Sequence, residues 1–123
     1  MPMPRKLVAV VDDDTIMLRT LDRLLNVSGF TTETYCSGES LLAGSACSRA
    51  TCLVLDIHLE GMSGIELSRQ LAASGSKLPV IFMTAFDDDA TREAAMEAGC
   101  VAFLHKPFPA SSLIAAIEAA VVE

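Results

Sequence analysis

Apolar residues in this chain gather into four short runs, and each run stops on a polar residue suited to phosphate or metal chemistry. Leu7 to Val11 leads into Asp12, Asp13 and Asp14; Cys52 to Leu55 into Asp56; Val80 to Met83 into Thr84; and Val101 to Leu104 through His105 into Lys106. The run before Asp56 is too short for a helix and apolar at every position, the pattern of a strand covered on both faces. Thr31 to Tyr35 is rich in β-branched and aromatic residues yet polar enough to predict a half-exposed edge strand. Between these segments the period changes. Met17, Leu18, Leu21, Leu24 and Leu25 recur at helical spacing, with Gly29 placed to stop the helix. Ser37 to about Ala46 predicts a weak second helix, and Gly61 and Gly64 mark a loop. Ile65, Leu67, Leu71 and Ala72 predict a third helix ending before Gly75, after which Pro79 introduces the next strand. Asp87 to Ala98 predicts a fourth helix stopped by Gly99. Leu113, Ile114, Ile117 and Val121 give a last helix its buried stripe after Pro109.

Five strands alternating with five helices predict an α/β fold: a doubly wound five-stranded parallel sheet in the order 2-1-3-4-5, with right-handed crossovers placing helices on both faces. In such a sheet ligands bind beyond the carboxyl ends of the strands, where the winding direction reverses. The polar tips of the four runs would meet there. No repeat, low-complexity tract or linker divides the chain, so residues 1–123 are expected to form one domain.

Composition narrows the function classes. A chain of 123 residues, 51% hydrophobic, can bury a core without staples. Its net charge of -7 and pI near 4.7 argue against a nucleic-acid or anionic-membrane surface. Cys36, Cys47, Cys52 and Cys100 show no zinc or redox spacing, and are expected to be reduced core thiols in a cytosolic protein. The opening Met-Pro-Met-Pro-Arg-Lys lacks the apolar stretch of a signal peptide, and no apolar run reaches the length of a membrane span. A soluble, cytoplasmic protein is expected.

Gathered carboxylates repel one another by several kcal/mol at an effective dielectric near ~20, and a divalent cation removes that cost. Hard oxygen ligands favour Mg²⁺ or Mn²⁺. Such a cation with Lys106 and a hydrogen bond from Thr84 would stabilise charge on a transferring phosphoryl group, and Asp56 would be the nucleophile. Each residue also has a plainer reading: Asp14 or Thr15 can cap the first helix, Thr84 can end a strand, and Lys106 can be a loop lysine. Their joint placement at the ends of successive strands is what favours the chemical reading.

Val-Val-Asp-Asp-Asp at 10–14, Asp-Ile-His-Leu-Glu-Gly-Met-Ser-Gly at 56–64, Met-Thr-Ala at 83–85 and Phe-Leu-His-Lys-Pro-Phe at 103–108 resemble the receiver domain of bacterial two-component response regulators. The stretch from Ala95 to Phe108 is especially similar to the FixJ-type group, and the resemblance runs from about Lys6 to Val122. It implies that Asp56 is the phosphoacceptor, that Asp12 and Asp13 hold the metal with Asp56 and the main-chain carbonyl of His58, and that Lys106, joined to Pro107 by a cis bond, contacts the phosphoryl group. It also implies that Thr84 moves toward the phosphate while Phe103 rotates inward, changing the surface formed by the fourth helix, fifth strand and fifth helix. Implied partners are a sensor histidine kinase or phosphotransfer protein, and a second copy of the chain on phosphorylation. The domain itself would bind neither nucleic acid nor membrane, the output would be transcriptional, and the chain would be no enzyme beyond its own phosphorylation and dephosphorylation.

The chain departs from that pattern where Leu59 and Glu60 replace the usual Met-Pro, and Phe103 lacks a tyrosine's hydroxyl. His58 and His105 flank the site without an assigned base role. Phe86 is placed to shield an acyl phosphate, and Asp87 to Asp89 are expected as first-turn charges of the fourth helix. The alternative is a small haloacid-dehalogenase-like phosphohydrolase using Asp12, because Asp12-Asp13-Asp14-Thr15-Ile16 nearly fits that nucleophile motif. It leaves Asp56 without a role.

Overall fold

The β-branched and aliphatic runs become the inner strands of a parallel sheet. The computed structural model describes residues 5–121; the Met-Pro-Met-Pro segment, Val122 and Glu123 lie outside them. Strands β1 (Leu7–Val11), β2 (Thr31–Tyr35), β3 (Cys52–Asp56), β4 (Val80–Thr84) and β5 (Ala102–His105) pair in the order β2-β1-β3-β4-β5, all parallel. Helices α1 (Thr15–Val27), α2 (Gly38–Ala43), α3 (Gly64–Ala73), α4 (Asp89–Glu97) and α5 (Ala110–Ala120) fill the crossovers, with a 3-10 turn at Ala46–Ser48. Each residue of β1, β3 and β4 is buried, whereas β2 is half exposed at one edge, as its polar composition predicts.

Because side chains alternate across a strand, the sheet supports two apolar layers. On one face Val8, Val10, Val54, Ile81 and Met83 pack with Leu18, Leu21 and Leu25 of α1 and Leu113 and Ile117 of α5. On the other, Val11, Leu53, Leu55 and Phe82 pack with Leu41 of α2, Leu67 and Leu71 of α3 and Ala95 of α4. Each large side chain fully buried here contributes roughly 2 kcal/mol.

Several boundaries differ from the sequence expectation. The second helix stops at Ala43 rather than near Ala46, because Gly44 takes an extended conformation beneath Tyr35, whose hydroxyl would lie 3.1 Å from a Cβ at that position. Gly64 is not loop but the first residue of α3, where Ser63 and Glu66 close a capping box. The fourth helix begins at Asp89, since Asp88 turns back to accept the Thr91 N–H at 2.7 Å and so ends the loop. Of the expected first-turn charges only Asp89 is inside the helix. Strand β5 starts at Ala102, leaving Val101 55% exposed.

The four cysteines are free, but only Cys52 is buried; Cys47 and Cys100 are partly buried and Cys36 is exposed. The expectation of core thiols therefore holds in full for Cys52, whose pKa burial pushes up to about 12, and in part for Cys47 and Cys100, which pack against the core without being buried, but not for Cys36. Composition reveals a residue's hydrophobicity but not which helix end it reaches.

Candidate functional site

The loop after β1 divides its three aspartates between two tasks. Asp14 caps α1, its carboxylate accepting the N–H groups of Ile16 at 3.0 Å and Met17 at 3.2 Å. Asp12, with no exposed surface, stays in the sheet edge and accepts the Asp14 N–H at 2.9 Å. Asp13 is exposed and reaches across to the loop after β3, where it accepts the Glu60 N–H at 3.3 Å. Glu60 therefore ties the two acidic loops together through its backbone, a bond a proline at this position could not donate.

Asp56 ends β3 with 6% exposure. Its carboxylate accepts the His58 N–H at 3.2 Å. Beneath it the chain is pressed tightly: a Cβ on Gly64 would lie 2.2 Å from the Asp56 carbonyl oxygen, so only glycine allows α3 to start here. Gly64 also donates its N–H to the Ile57 carbonyl at 2.9 Å. Gly64, expected as loop punctuation, provides this support, and the Ser63-x-x-Glu66 capping pattern is the sequence signal that points to it.

Lys106 leaves the end of β5 and points back to the centre of the edge. Its ammonium donates to Asp12 at 2.7 Å and to Asp56 at 3.4 Å. The Lys106–Pro107 bond is cis, as the resemblance implied, and the Lys106 N–H donates to the Thr84 carbonyl at 2.7 Å. Ligand oxygens of Asp12, Asp13 and Asp56 lie within 4.8 Å of one another. Three carboxylates and one ammonium leave the cluster two negative charges in excess when all are ionised.

The electrostatics follow from that crowding. Burial, then the charge on Asp12, raises the Asp56 pKa to about 6, against the opposing pull of Lys106 and the His58 N–H. Burial pulls Lys106 down, but the Asp12 hydrogen bond and the charges on Asp56 and Asp12 together hold its pKa above the ordinary lysine value. Lys106 therefore stays cationic and Asp56 is ionised at neutral pH. The donor set is all hard oxygen, which suits Mg²⁺ or Mn²⁺ and does not suit a thiolate-seeking metal.

The side chains of the remaining predicted residues make no hydrogen bond to this cluster in the described structure. Thr84 is fully buried, and its hydroxyl donates to the Phe86 carbonyl at 3.2 Å while accepting the Phe86 N–H at 2.9 Å. The exposed His58 ring meets Phe86 edge to face, 4.9 Å between centroids. Phe86 itself is 59% exposed, and His105 lies against the Ala85 carbonyl at 3.3 Å. Phe103 is partly buried on the α4 face, beneath the guanidinium of Arg92. Asp12, which the hydrolase alternative needs as an exposed nucleophile, is closed off by Lys106 and the Asp14 N–H.

The fold and sequence have counterparts in known proteins. The chain matches the family model described as the response regulator receiver domain over residues 8–118. Response regulator MprA of Mycobacterium ulcerans (strain Agy99) is 37% identical over 112 residues, covering 91% of this chain and 48% of that protein. Response regulator protein TodT of Pseudomonas putida is 34% identical over 113 residues, covering 92% of this chain and 50% of its own length. The chain thus spans about half the length of the curated relatives it matches. Among solved structures, FixJ-N superposes with a TM-score of 0.86 at 34% identity, over 97% of this chain and 95% of that one. The response regulator StyR gives 0.88 at 40% identity, over 96% and 60%. Sequence and strand order agree, and the chain belongs to the response regulator receiver domain family of two-component signalling systems.

Proposed function

We propose that Asp56 accepts a phosphoryl group from a histidine kinase or phosphotransfer protein, and that the resulting charge changes the surface of α4, β5 and α5 to control an output, transcription being the one we favour. The observation that carries this reading is the meeting of Asp12, Asp13 and Asp56 within 4.8 Å, with the Lys106 ammonium against two of them. An oxygen of ionised Asp56 attacks phosphorus as the P–N bond of a phosphohistidine breaks. The electron pair returns to the imidazole, which takes a proton from solvent.

Mg²⁺ or Mn²⁺, held by Asp12, Asp13, Asp56 and the main-chain carbonyl of His58, would supply positive charge against the carboxylates and the phosphoryl oxygens. Lys106 supplies the second cation. It lies between Asp12 and Asp56 and can follow an oxygen of the group that Asp56 acquires. Thr84 exchanges its bonds to Phe86 for one to the phosphoryl group, and Phe103 turns inward behind it. This is a two-state equilibrium biased by new contacts at Asp56. The domain is a signalling module whose only chemistry is on itself. We take residues 1–123 as one receiver unit, working in the cytoplasm and able to pair with a second copy when phosphorylated; among the described residues no helix is long and apolar enough to cross a membrane.

Incubation with a small acyl phosphate and Mg²⁺, followed by mass spectrometry of the peptides, tests the assignment. The expected label is on Asp56, with none in Asp56→Asn and none without divalent cation. A label on Asp12 would support the hydrolase reading instead.

A further inference from the structure

The β4–α4 loop contains an arrangement that the phosphoacceptor chemistry does not use. Arg92, on the first turns of α4, donates through Nη2 to both oxygens of Asp87, at 2.6 and 2.7 Å. Its guanidinium carbon also stands 4.9 Å from the ring centroid of Phe103. Asp87 is free to take this partner because Asp88 supplies the helix cap. Asp87 directly follows Phe86, and both main-chain polar groups of Phe86 are bonded to the Thr84 hydroxyl. Thr84, the loop, Asp87, Arg92 and Phe103 thus form a closed circuit of contacts between β4 and β5.

An exposed ion pair alone contributes little, and Arg92 is 53% exposed at its side chain. Here the guanidinium is fixed at two ends, by a carboxylate and by a ring face, so each contact removes freedom that the other would otherwise have to remove. Phe103 has no hydroxyl with which to fix its own position. The cation over its face is the directional contact it has in the described structure.

We propose that Arg92 is a positioning residue, a latch that holds Phe103 in its present rotamer and is fastened through Asp87 to the loop that Thr84 secures. The proposal deepens the switch described above and rests on that reading for its trigger. When Thr84 leaves Phe86 for a phosphoryl group, the loop carrying Asp87 shifts, Arg92 loses its anchor, and Phe103 is released. The residue that reads the phosphate and the residue that moves are then coupled through contacts specific to this chain's Asp87, Arg92 and Phe103.

The test reads Phe103 χ1 populations in isotope-labelled protein from three-bond couplings to its ring carbon, before any phosphoryl donor is added. Arg92→Gln should raise the minor rotamer about two- to fivefold, the range expected for loss of an exposed cation–π contact. Asp87→Asn should do the same, and the double variant should exceed neither, because both changes open one latch. Arg92→Lys, which keeps charge without the fork, should lie between wild type and Arg92→Gln. Unchanged populations in Arg92→Gln, or effects of the two single variants that simply add, would overturn the latch. In the wild-type chain treated with acetyl phosphate and Mg²⁺, Phe103 should shift in proportion to the fraction of Asp56 labelled. Labelled Asp56 with an unmoved Phe103 overturns the release step. Failure to label Asp56 strikes the phosphoacceptor reading instead, and the rotamers of the untreated variants still decide the latch.

Discussion

The two halves of the sheet edge are built to different tolerances. Asp12 and Asp56 are buried and share the Lys106 ammonium, and α1 and α3 behind them sink Leu18, Leu21, Leu25, Leu67 and Leu71 into the core. Beyond Thr84, itself fully buried, the contacts toward Phe103 are looser: α4 buries Ala95 alone, β5 is nowhere fully buried, and Phe86, Met96 and Val101 are largely exposed. The proposed chemistry therefore stands on a rigid support, where a carboxylate and an ammonium must keep fixed distances. The segments proposed to move are those with least apolar area to lose. A switch needs both, since a phosphoryl group supplies only a limited bias and can reposition only what is weakly held.

The sharpest way to break the rigid half is Gly64→Ala. A Cβ 2.2 Å from the Asp56 carbonyl oxygen meets backbone, so either α3 or the end of β3 must shift. The expected loss is on the order of 3 kcal/mol or more, measured by denaturant unfolding. Gly75→Ala offers a control: its Cβ meets nothing within 4 Å, so only the strain of φ +94 remains, about 1 kcal/mol. Equal losses at the two sites would show that the pressure beneath Asp56 is unimportant.

Native-state amide exchange measures the contrast directly. Amides in the middle of α1 should open only with the whole fold. Those of α4 should open with a free energy lower by about 2 kcal/mol or more, because a single small residue anchors that helix. Matching protection in α1 and α4 would remove the physical basis for assigning movement to one half.

A third effect, on the order of 2 kcal/mol, concerns pH. Without metal, Asp56 has a folded pKa of about 6 against an ordinary 3.8. As pH rises between those values the unfolded chain releases its proton first, so the fold loses stability through that window. Asp56→Asn should remove this part of the slope and make the metal-free domain more stable than wild type at pH 7 by on the order of 2 kcal/mol, checked by unfolding in chelator. Adding Mg²⁺ should close the gap. A substitution that weakens the domain at pH 7 would mean that burial and the Asp12 charge do not burden Asp56.

Much of this arrangement was legible in the chain, and the reasons are specific. An inner parallel strand must be apolar at each position, so β1, β3 and β4 announced themselves, and the polar residues at their ends had only one edge to occupy. Edge elements carry a weaker signal. Strand β5 begins one residue later than its apolar run because Val101 lies outside the helical cover. Contacts between segments distant in sequence left no periodic trace: Tyr35 over Gly44 shortens α2, and Arg92 over Phe103 joins residues in different elements. Three consecutive aspartates could each have capped α4, and only the folded loop selects Asp88 and leaves Asp87 for Arg92. The division between Asp14, which caps a helix, and Asp12 and Asp13, which gather with Asp56, is not readable from spacing and comes only from the family resemblance.

The smallest expected effect lies where the two halves meet. His58 belongs to the loop beyond Asp56 and Phe86 to the loop beyond Thr84, and their rings touch edge to face at 4.9 Å. We propose that the Phe86 ring hinders the approach of water to an acyl phosphate on Asp56. It hinders it only partly, since Phe86 remains 59% exposed. Phe86→Ala should therefore speed loss of the phosphoryl group by a modest factor, about two- to fivefold, the size associated with a weakly held aromatic contact of 0.5–1 kcal/mol. The decay of labelled protein after removal of the donor gives the rate. His58→Ala should give part of the same acceleration by freeing the Phe86 ring, and the double variant should match Phe86→Ala, since His58 acts here only by holding that ring. An unchanged decay rate in Phe86→Ala would assign the lifetime to the carboxylates and Lys106 alone, placing it wholly in the rigid half.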